Sequence, residues 1–518
     1  METLYDGSDA WMEAVESRDS RFDGVVTVGV TSTGIYCRPS CPTPIRPKRS
    51  NMRFFSTSAA AQSAGFRACK RCAPDATPGS PEWNWRDDLV ARAVRAIDDG
   101  VVDRVGVDGL ARSLSVSPRH LHRLMSSSLG ATPVGLARAR RARAARVLIE
   151  TTDLAFSDVA FAAGFESVRQ FNDTVKDVFA STPTQLRAKR SGRRPAGEWI
   201  EVRLPFRPPL HVGYLFSWLE IHAVAGIESV ERDEHARPTY RRSMLLPGGP
   251  AVVEVRPGER SMHTRFRLDS INDLQVAIQR VRRLLDLDSD PAVIDQALSD
   301  HASLVSLVGF RPGLRLPGEI DGSDAAIRAI IHQQVSVASA RSMCTRLVAE
   351  HGTPLEHPIG SITHVFPAAS TWASLDPEAL GMPMSRAATV IRVAEAIADG
   401  RVDLSPSADR VAAAEQLLAV KGIGPWTAAI VAMKALGDPD VFAGGDLALR
   451  RVATELGLPS DAADLDAAAV RWRPWRSYAM HHLWAEYLAR TVPGIDDPVA
   501  ASASATFDPQ TAGTKESS

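Results

Sequence analysis

Two close pairs of cysteines constrain the fold of this chain more than any other sequence feature. Three residues separate Cys37 from Cys41, two separate Cys69 from Cys72, and 27 lie between the pairs. Cys344 is the only other cysteine in 518 residues, so a disulfide framework is not indicated. Four thiolates in this arrangement suit the tetrahedral coordination of Zn²⁺, and a domain this small needs such a metal to hold its fold. We predict one zinc ion on these four cysteines.

The spacing leaves open whether the metal is purely structural or also activates a thiolate. The segments GIYCRPSCP (34–42) and AGFRACKRC (64–72) resemble the N-terminal domain of Ada, the bacterial adaptive-response regulator. The resemblance implies that Cys37 accepts a methyl group from a methylphosphotriester in DNA, once per molecule. Zinc keeps a thiolate deprotonated at neutral pH, and cations nearby attract the phosphate backbone. Seven basic residues supply these cations: Arg38, Arg46, Lys48, Arg49, Arg67, Lys70 and Arg71.

The length and charge of the chain indicate several domains and a nucleic-acid partner. A chain of 518 residues divides into about three or four domains on the usual size prior. The formal net charge is −1, yet residues 104–194 hold 16 Lys/Arg against 7 Asp/Glu, an excess of 9. Such a local excess indicates binding to DNA or RNA. No apolar run is long enough to span a membrane and the start is acidic, so we expect a cytoplasmic protein.

An internal repeat with an offset of 50 residues occupies the basic region. Its matched positions are Asp108 and Asp158, His120 and Gln170, Leu121 and Phe171, and Thr132-Pro133 and Thr182-Pro183. Each copy reads as a short helix (108–114 and 158–163), a turn and a second helix. An Arg-rich helix from 133 to 149 connects the copies. The repeat therefore predicts two helix-turn-helix units.

These units resemble the AraC/XylS-type DNA-binding domain, with 117–129 and 167–179 as recognition helices. The alternative is a plain helical bundle with a solvated basic face. RNA polymerase is a candidate partner of such a regulator. The side chains expected nearest to the bases are Arg119, His120, Arg123, Arg169, Gln170 and Asn172.

A polar linker at 191–197 precedes a region of mixed character. Strands are predicted at 199–206, 229–230, 240–246, 251–255 and 264–268, followed by a helix at 271–285. From 291 to 492 almost every segment reads as helical. After Asp497 the chain is rich in Ala, Ser and Thr, and we expect disorder.

The stretch LLAVKGIGPWTAAIVAMKAL predicts a helix-hairpin-helix. Glycines at 422 and 424 permit positive φ and close approach of the backbone, while the N–H groups that open the second helix suit a DNA phosphate. Asp446 follows two glycines shortly after the hairpin. The alternative is that the turn merely joins two packed helices and Asp446 is a solvated N-cap.

The hairpin and the acid together resemble the HhH-GPD superfamily of DNA glycosylases. GPWTA (424–428) and WRPWRSYA (472–479) resemble its AlkA-type 3-methyladenine glycosylases, over roughly residues 199–492. The resemblance implies that Asp446 is the catalytic carboxylate and that Trp426 and Trp484 stack on a flipped base. The alternative for either tryptophan is core packing.

Several positions depart from the patterns of the related families. Ile430 replaces a tyrosine of the prototype, and the segment with Gln333 and Gln334 has Gln334 where an apolar wedge is expected, which puts base range and flipping in doubt. Trp426 stands where bifunctional relatives have a Schiff-base lysine, so we expect no strand cleavage. Cys344 reads as a core residue, and the Pro-Cys-His-Arg motif of O6-methylguanine transferases is missing.

The sequence thus predicts a multidomain protein, mainly α with α+β parts. The predicted parts are a zinc domain (1–80), a double helix-turn-helix (84–190), an α+β subdomain (198–290), an all-α HhH-GPD domain (291–495) and a disordered tail (496–518). The predicted function is a glycosylase for alkylated purines fused to a damage-sensing regulator. The alternative is a transcription factor whose glycosylase-like half only binds DNA; Asp446 favours the enzyme, because a pure binding module needs no acid beside the hairpin.

Overall fold

The computed structural model describes residues 81–188 and 199–491 throughout. Before these it describes 26–39, 47–55, 64–69 and shorter pieces that include Cys41 and Cys72. The predicted linker and tail lie outside the described residues, as do Arg46, Lys70 and Arg71. The chain divides into two units, Met1–Ala91 and Arg92–Ser518.

The first unit contains a four-stranded sheet in the order β3-β1-β2-β4. Its strands are β1 (Thr27–Val30), β2 (Ile35–Cys37), β3 (Met52–Phe55) and β4 (Arg67–Ala68). The strands β2 and β4 are parallel neighbours, with Ile35 opposite Arg67 and Tyr36 opposite Ala68. Because Cys37 ends β2 and Cys69 directly follows β4, the two cysteine pairs leave the sheet at the same edge.

Residues 81–188, which precede the linker, form seven helices. They are α1 (Pro81–Asp98), α2 (Val101–Ser113), α3 (Pro118–Leu129), α4 (Pro133–Thr151), α5 (Phe156–Ala162), α6 (Val168–Phe179) and α7 (Pro183–Ala188). The recognition helices α3 and α6 begin where predicted, because the hydroxyls of Ser117 and Ser167 accept the N–H of His120 and Gln170. Gly164 takes a positive φ of 86° in the second turn. Both helix-turn-helix units are confirmed.

Several arginines of the connector α4 form ion pairs and hydrogen bonds within the protein. Arg140 is buried, donates to the carbonyl of Asp98 and pairs with Asp103. Arg141 also pairs with Asp103, at 2.7 Å, and Arg138 pairs with Asp177 on α6 at 2.7 Å. These ion pairs join the two helix-turn-helix units, so the arginines of α4 stabilise the bundle as well as adding to its charge.

An α+β layer follows, with a five-stranded antiparallel sheet in the order β5-β9-β8-β7-β6. The strands are β5 (Ile200–Pro205), β6 (Glu228–Arg232), β7 (Pro238–Leu246), β8 (Gly249–Pro257) and β9 (Ser261–Leu268), and the helices are α8 (Val212–His222) and α9 (Leu274–Leu284). The predicted strands and the predicted helix are present. Helix α8 was not predicted.

The remaining part is helical except for one hairpin. Its helices are α10 (Pro291–Ser299), α11 (Val305–Phe310), α12 (Gly322–Ile331), α13 (Val337–His351), α14 (Ala369–Ala373), α15 (Met384–Ala398), α16 (Arg410–Leu418), α17 (Pro425–Leu436), α18 (Leu447–Glu455), α19 (Ala462–Ala469) and α20 (Arg476–Thr491). The hairpin consists of β10 (Thr353–Ile359) and β11 (Ile362–Val365), where the sequence predicted helix. Among the described residues, no helix combines the length and apolar character needed to cross a membrane.

Within the second unit, the helix-turn-helix bundle packs on the α+β layer. Helix α4 lies against β5, and their buried side chains belong to one hydrophobic cluster. Arg283 on α9 pairs with Asp99 at 3.4 Å, and Arg92 donates to the carbonyl of Ser407 and the carboxylate of Asp409 at 2.8 and 3.0 Å. The two halves are therefore joined by direct packing in addition to the linker.

Candidate functional sites

The four predicted metal ligands lie together. The sulfur atoms of Cys37, Cys41, Cys69 and Cys72 are all within 4.8 Å of one another. A backbone hydrogen bond from Cys69 to the carbonyl of Tyr36 fixes the second pair beside the first. Hydrogen bonding between the thiols raises the pKa of Cys37 and lowers that of Cys41. A tetrahedral Zn²⁺ fits this all-sulfur set.

Exposure distinguishes Cys37 from the other three ligands. Cys41, Cys69 and Cys72 are buried, whereas Cys37 is half-buried at the end of β2. An alkylating group from outside would therefore meet Cys37 first. Lys48, Arg49 and Arg67 are exposed, although Arg49 pairs with Glu16 at 2.7 Å.

The predicted base-reading residues lie on one side of each recognition helix. Arg119 and Arg123 are exposed and His120 is half-buried on α3, and the Arg123 guanidinium lies 3.2 Å from the His120 Nδ1. On α6, Arg169, Gln170 and Asn172 are exposed. The opposite sides carry buried residues such as Leu121 and Phe171. Their contact with bases stays a prediction.

The helix-hairpin-helix consists of α16, a tight turn and α17. Gly422 has a φ of +101°, and a Cβ there would lie 2.1 Å from the Thr389 hydroxyl, so this position needs glycine. Gly424 does not adopt a positive φ: it is the extended N-cap of α17, with φ −103°. Apart from its chain neighbours, no described residue has an atom within 4 Å of a Cβ placed there, so Gly424 leaves open space at the helix start.

Asp446 is both an N-cap and the centre of a cluster of donors. Its Oδ1 accepts the N–H groups of Ala448 and Leu449 at 3.0 and 3.1 Å, which starts α18. The indole of Trp484 donates to Oδ1 at 3.3 Å, and that of Trp426 donates to Oδ2 at 3.1 Å. The capping role is therefore real, but two tryptophans from other helices also point at the carboxylate. Both indoles are half-buried rather than core residues.

The loop before Asp446 is held by Arg476 and Ser477, which belong to the WRPWRSYA motif (472–479) at the start of α20. Arg476 pairs with Asp440 at 2.7 Å. Ser477 is fully buried, and its hydroxyl donates to the carbonyl of Asp438 at 2.7 Å and accepts the N–H of Val441 at 3.1 Å. The motif thus positions the acid without touching it.

The two glutamines have different surroundings. Gln333 donates to the Thr427 hydroxyl at 2.7 Å, beside Trp426, whereas Gln334 is exposed with a φ of +55° between α12 and α13. Ile430 is buried in the core one helical turn after Trp426. A polar side chain therefore stands at the place of the expected wedge.

Comparisons with known proteins assign separate stretches of the chain to separate families. Four family models match: the metal binding domain of Ada (10–75), a helix-turn-helix domain (110–189), the AlkA N-terminal domain (201–321) and the HhH-GPD superfamily base excision DNA repair protein (327–477). A Mycobacterium tuberculosis protein described as a probable bifunctional transcriptional activator/DNA repair enzyme AlkA is 47% identical over 486 residues, covering 93% of this chain and 97% of that protein. The chain belongs to this AlkA family.

Two Escherichia coli proteins resemble separate parts of the AlkA-family chain. DNA-3-methyladenine glycosylase 2 is 31% identical over 286 residues, 54% of this chain and 95% of that protein. The bifunctional transcriptional activator/DNA repair enzyme Ada is 31% identical over 175 residues, 34% of this chain and 48% of that protein. These matches confirm the predicted family, the multidomain fold class and, with the cysteine cluster, the zinc site.

An aromatic cluster beside Asp446 was missed in the sequence. The Trp218 ring on α8 stacks on His222 at 4.2 Å between centroids and lies 4.7 Å from His481 and 5.6 Å from Trp484. A tryptophan and a histidine four residues apart could have indicated one face of a helix. The AlkA-family site therefore includes α8 as well as the hairpin and α20.

Cys344 is the remaining cysteine of this AlkA-family chain. It is buried on α13 in the main hydrophobic cluster, and burial raises its pKa to about 12. The thiol is therefore neutral and a poor nucleophile, which confirms the predicted core role.

Proposed function

We propose that the second unit is a DNA glycosylase that excises alkylated purines such as 3-methyladenine. The observation that carries this proposal is Asp446, which accepts two indole N–H groups immediately after a helix-hairpin-helix. Capping of α18 alone does not account for the two indole N–H groups from other helices that also point at this carboxylate. The match to DNA-3-methyladenine glycosylase 2 over 95% of its length supports the same activity.

The proposed mechanism divides the work among these groups. The hairpin N–H groups bind the DNA backbone, and the damaged purine is flipped out of the stack. Trp426 and Trp484 offer π-faces to the base, and the Asp446 carboxylate stabilises the positive charge that develops on the sugar and orients water. Because an N3- or N7-alkylated purine is already cationic, its glycosidic bond breaks without a proton on the base. The base leaves neutral.

We propose a monofunctional glycosylase, because Trp426 offers no amine for a Schiff base. The test is incubation of the purified chain with a duplex that contains one 3-methyladenine. The free base should appear, and borohydride should trap no protein on DNA. The DNA strand should break only after alkali. No base release would leave the alternative, a regulator whose glycosylase-like half only binds DNA, and borohydride trapping would contradict the monofunctional mechanism.

We further propose that Cys37 accepts a methyl group from a methylphosphotriester. Its sulfur would attack the methyl carbon, so an S–C bond forms, the C–O bond breaks and a phosphodiester anion leaves. Bound zinc would keep the thiolate deprotonated, with Cys41, Cys69 and Cys72 completing its ligands. The partial exposure of Cys37 supports its choice among the four. The reaction would occur once per molecule.

The double helix-turn-helix would bind operator DNA through the exposed sides of α3 and α6. RNA polymerase is the proposed partner in activation, and DNA as the shared target of every part supports a cytoplasmic location. We propose the division of labour along the domain boundaries inferred from the sequence: methyl acceptance in 1–80, operator binding in 84–190 and base excision in 198–495.

A further inference from the structure

Helix α1, which belongs to the helix-turn-helix half, contacts the first helix of the helix-hairpin-helix directly. The Arg92 guanidinium donates to the carbonyl of Ser407 at 2.8 Å and to the carboxylate of Asp409 at 3.0 Å. One turn further along α1, Arg95 donates to the carbonyl of Pro406 at 2.7 Å. The Arg92 side chain is only 15% exposed. Charge-assisted bonds from a mostly buried guanidinium fix the two elements more firmly than an exposed ion pair does.

These contacts lie at the start of α16, because Asp409 is its N-cap. The Asp409 Oδ1 accepts two backbone N–H groups of α16 at 3.0 and 3.1 Å, and Oδ2 accepts the Arg92 guanidinium. The next residue, Arg410, donates to the carbonyl of Gly437 at 3.0 Å, where α17 ends. Helix α1 therefore holds the end of the α16–α17 pair that lies away from the turn.

The orientation of α16 at its start determines where the turn lies. Helix α16 has 9 residues. It is therefore about 13 Å long, and a tilt of about 10° at its start displaces the turn by roughly 2 Å. Because N–H···O bonds form only over about 2.7–3.2 Å, such a displacement separates the N–H groups of the turn from a bound phosphate. The support at the start of α16 thus sets how often the turn can bind DNA.

This support comes from outside the stretches that match glycosylase families. Those stretches are 201–321 and 327–477, whereas α1 spans Pro81–Asp98. The bundle is also held by the packing of α4 on β5 and by the pair of Arg283 with Asp99. Helix α1 is therefore a fixed support for the hairpin rather than a loose neighbour.

We infer that α1 is part of the DNA-binding apparatus of the glycosylase, with Arg92 and Arg95 as positioning residues for the hairpin. The inference rests on the glycosylase function proposed above and adds to it a requirement for the helix-turn-helix half. Loss of these contacts lowers the fraction of molecules whose turn can bind the DNA backbone, so the apparent affinity falls. The chemical step is spared, because Arg476 and Ser477 hold the loop before Asp446 separately.

The first test uses Arg92→Met in the full-length protein, with a duplex that contains one 3-methyladenine and protein in excess. The protein concentration that gives the half-maximal rate of base release should rise roughly threefold to tenfold, while the rate at saturation stays within about twofold. A duplex with a tetrahydrofuran analogue of the abasic site should bind correspondingly more weakly. An unchanged half-maximal concentration, or a loss at saturation alone, would overturn the inference.

Asp409→Asn separates positioning from simple charge. Asparagine keeps the cap but weakens the bond to Arg92. If only charge mattered, removal of a carboxylate would tighten DNA binding. Positioning predicts the opposite sign, a weakening of roughly threefold. Binding to the tetrahydrofuran duplex measures the difference, and tighter binding by Asp409→Asn would contradict the role of this contact.

The matched control is the exposed pair of Arg237 and Asp233 in the turn between β6 and β7. Asp233 likewise accepts two backbone N–H groups, at 2.9 and 3.0 Å, and pairs with Arg237 at 2.7 Å. Arg237→Met and Asp233→Asn remove the same charges without a contact to α16. Their affinities should stay within about twofold of wild type, Asp233→Asn on the tighter side. Losses equal to those at Arg92 and Asp409 would assign the effect to charge alone.

Thermal unfolding shows whether each variant keeps its fold. If Arg92→Met does not fold, Arg92→Lys decides, because it keeps the charge but one ammonium does not reproduce a guanidinium that serves Ser407 and Asp409 together. Wild-type protein that releases no base refutes the glycosylase function. Affinity for the tetrahydrofuran duplex still tests the positioning role in that case, since it needs no excision. Base release with unchanged affinities in all junction variants refutes the positioning role alone.

Discussion

At the scale of single residues, Asp446 combines a structural and a chemical task. Its Oδ1 caps α18 through two backbone N–H groups, and its Oδ2 accepts the N–H of Trp426. Asparagine caps helices about as well as aspartate, so the two tasks can be separated by one substitution.

Asp446→Asn should preserve folding and DNA binding while lowering excision of 3-methyladenine by roughly a hundredfold or more, because only the negative charge is lost. The matched control is Asp461→Asn, since Asp461 caps α19 through the N–H groups of Ala463 and Asp464 but lies outside the cluster of indoles. Thermal unfolding and single-turnover base release measure both variants. Equal excision by wild type and Asp446→Asn would remove the acid from the mechanism.

Some residues of this site could be identified from the sequence and others could not. Asp446 and Trp426 belong to a local motif, so their spacing and family resemblance identified them. Trp218 and His222 come from α8, about 200 residues earlier in the chain. Only the packing of α8 against α20 brings Trp218 to Trp484, and no local pattern encodes that contact.

At the scale of elements, the sequence predicted those that local signals specify. It did not predict those that depend on contacts with distant parts of the chain. The serine caps, the 50-residue repeat and the alternating strands are local signals, and the elements they predict are present. Helix α8 is almost entirely apolar, so its periodicity cannot distinguish a helix from a strand. The hairpin β10–β11 has an irregular register and packs through Ile362 and Val365 against Val252 of the larger sheet. Tertiary contact stabilises that hairpin, which explains the failed prediction.

The turn of the helix-hairpin-helix, between α16 and α17, contains two glycines for which we predict different effects of substitution. Gly422→Ala should lower the free energy of unfolding by on the order of 1–3 kcal/mol, because alanine is strained at positive φ and its Cβ meets Thr389. Gly424→Ala should cost less than about 1 kcal/mol, because its backbone is extended and the space around it is open. It should instead weaken DNA binding, since the added methyl lies at the start of α17. Urea unfolding and DNA titration of full-length protein measure both effects. Equal destabilisation would mean that the turn does not depend on the φ of Gly422.

At the scale of the whole molecule, the operator-binding bundle and the proposed glycosylase are not independent parts. Helix α4 packs on β5, and Arg283 pairs with Asp99 across the same boundary. The sequence placed a polar linker between these halves and gave no sign of this interface, because the side chains that form the interface are far apart in the chain. Since the bundle and the glycosylase form one packed unit, DNA bound by either half stays close to the other.

The proposed methyl transfer to Cys37 would change the charge of the metal centre. Four thiolates on Zn²⁺ carry a formal charge of about −2, which repels DNA phosphates. Methylation of Cys37 converts one thiolate to a neutral thioether and brings the charge to about −1. Because both units belong to one chain, weaker repulsion at the metal centre should increase the affinity of the whole protein for DNA.

Methylation of Cys37 should therefore tighten operator binding roughly tenfold or better at moderate salt, since one unit charge near a protein surface is worth on the order of 1 kcal/mol or more. The measurement is a salt series of operator affinities for unmodified and Cys37-methylated full-length protein, with Cys37→Ser as the unreactive control. The difference should shrink as salt rises, because screening weakens the repulsion that methylation removes. Cys37→Ser should keep one affinity before and after exposure to DNA that contains methylphosphotriesters. If the methylated and unmodified proteins bind equally at low salt, Cys37 serves repair or zinc ligation alone and does not act as a damage sensor.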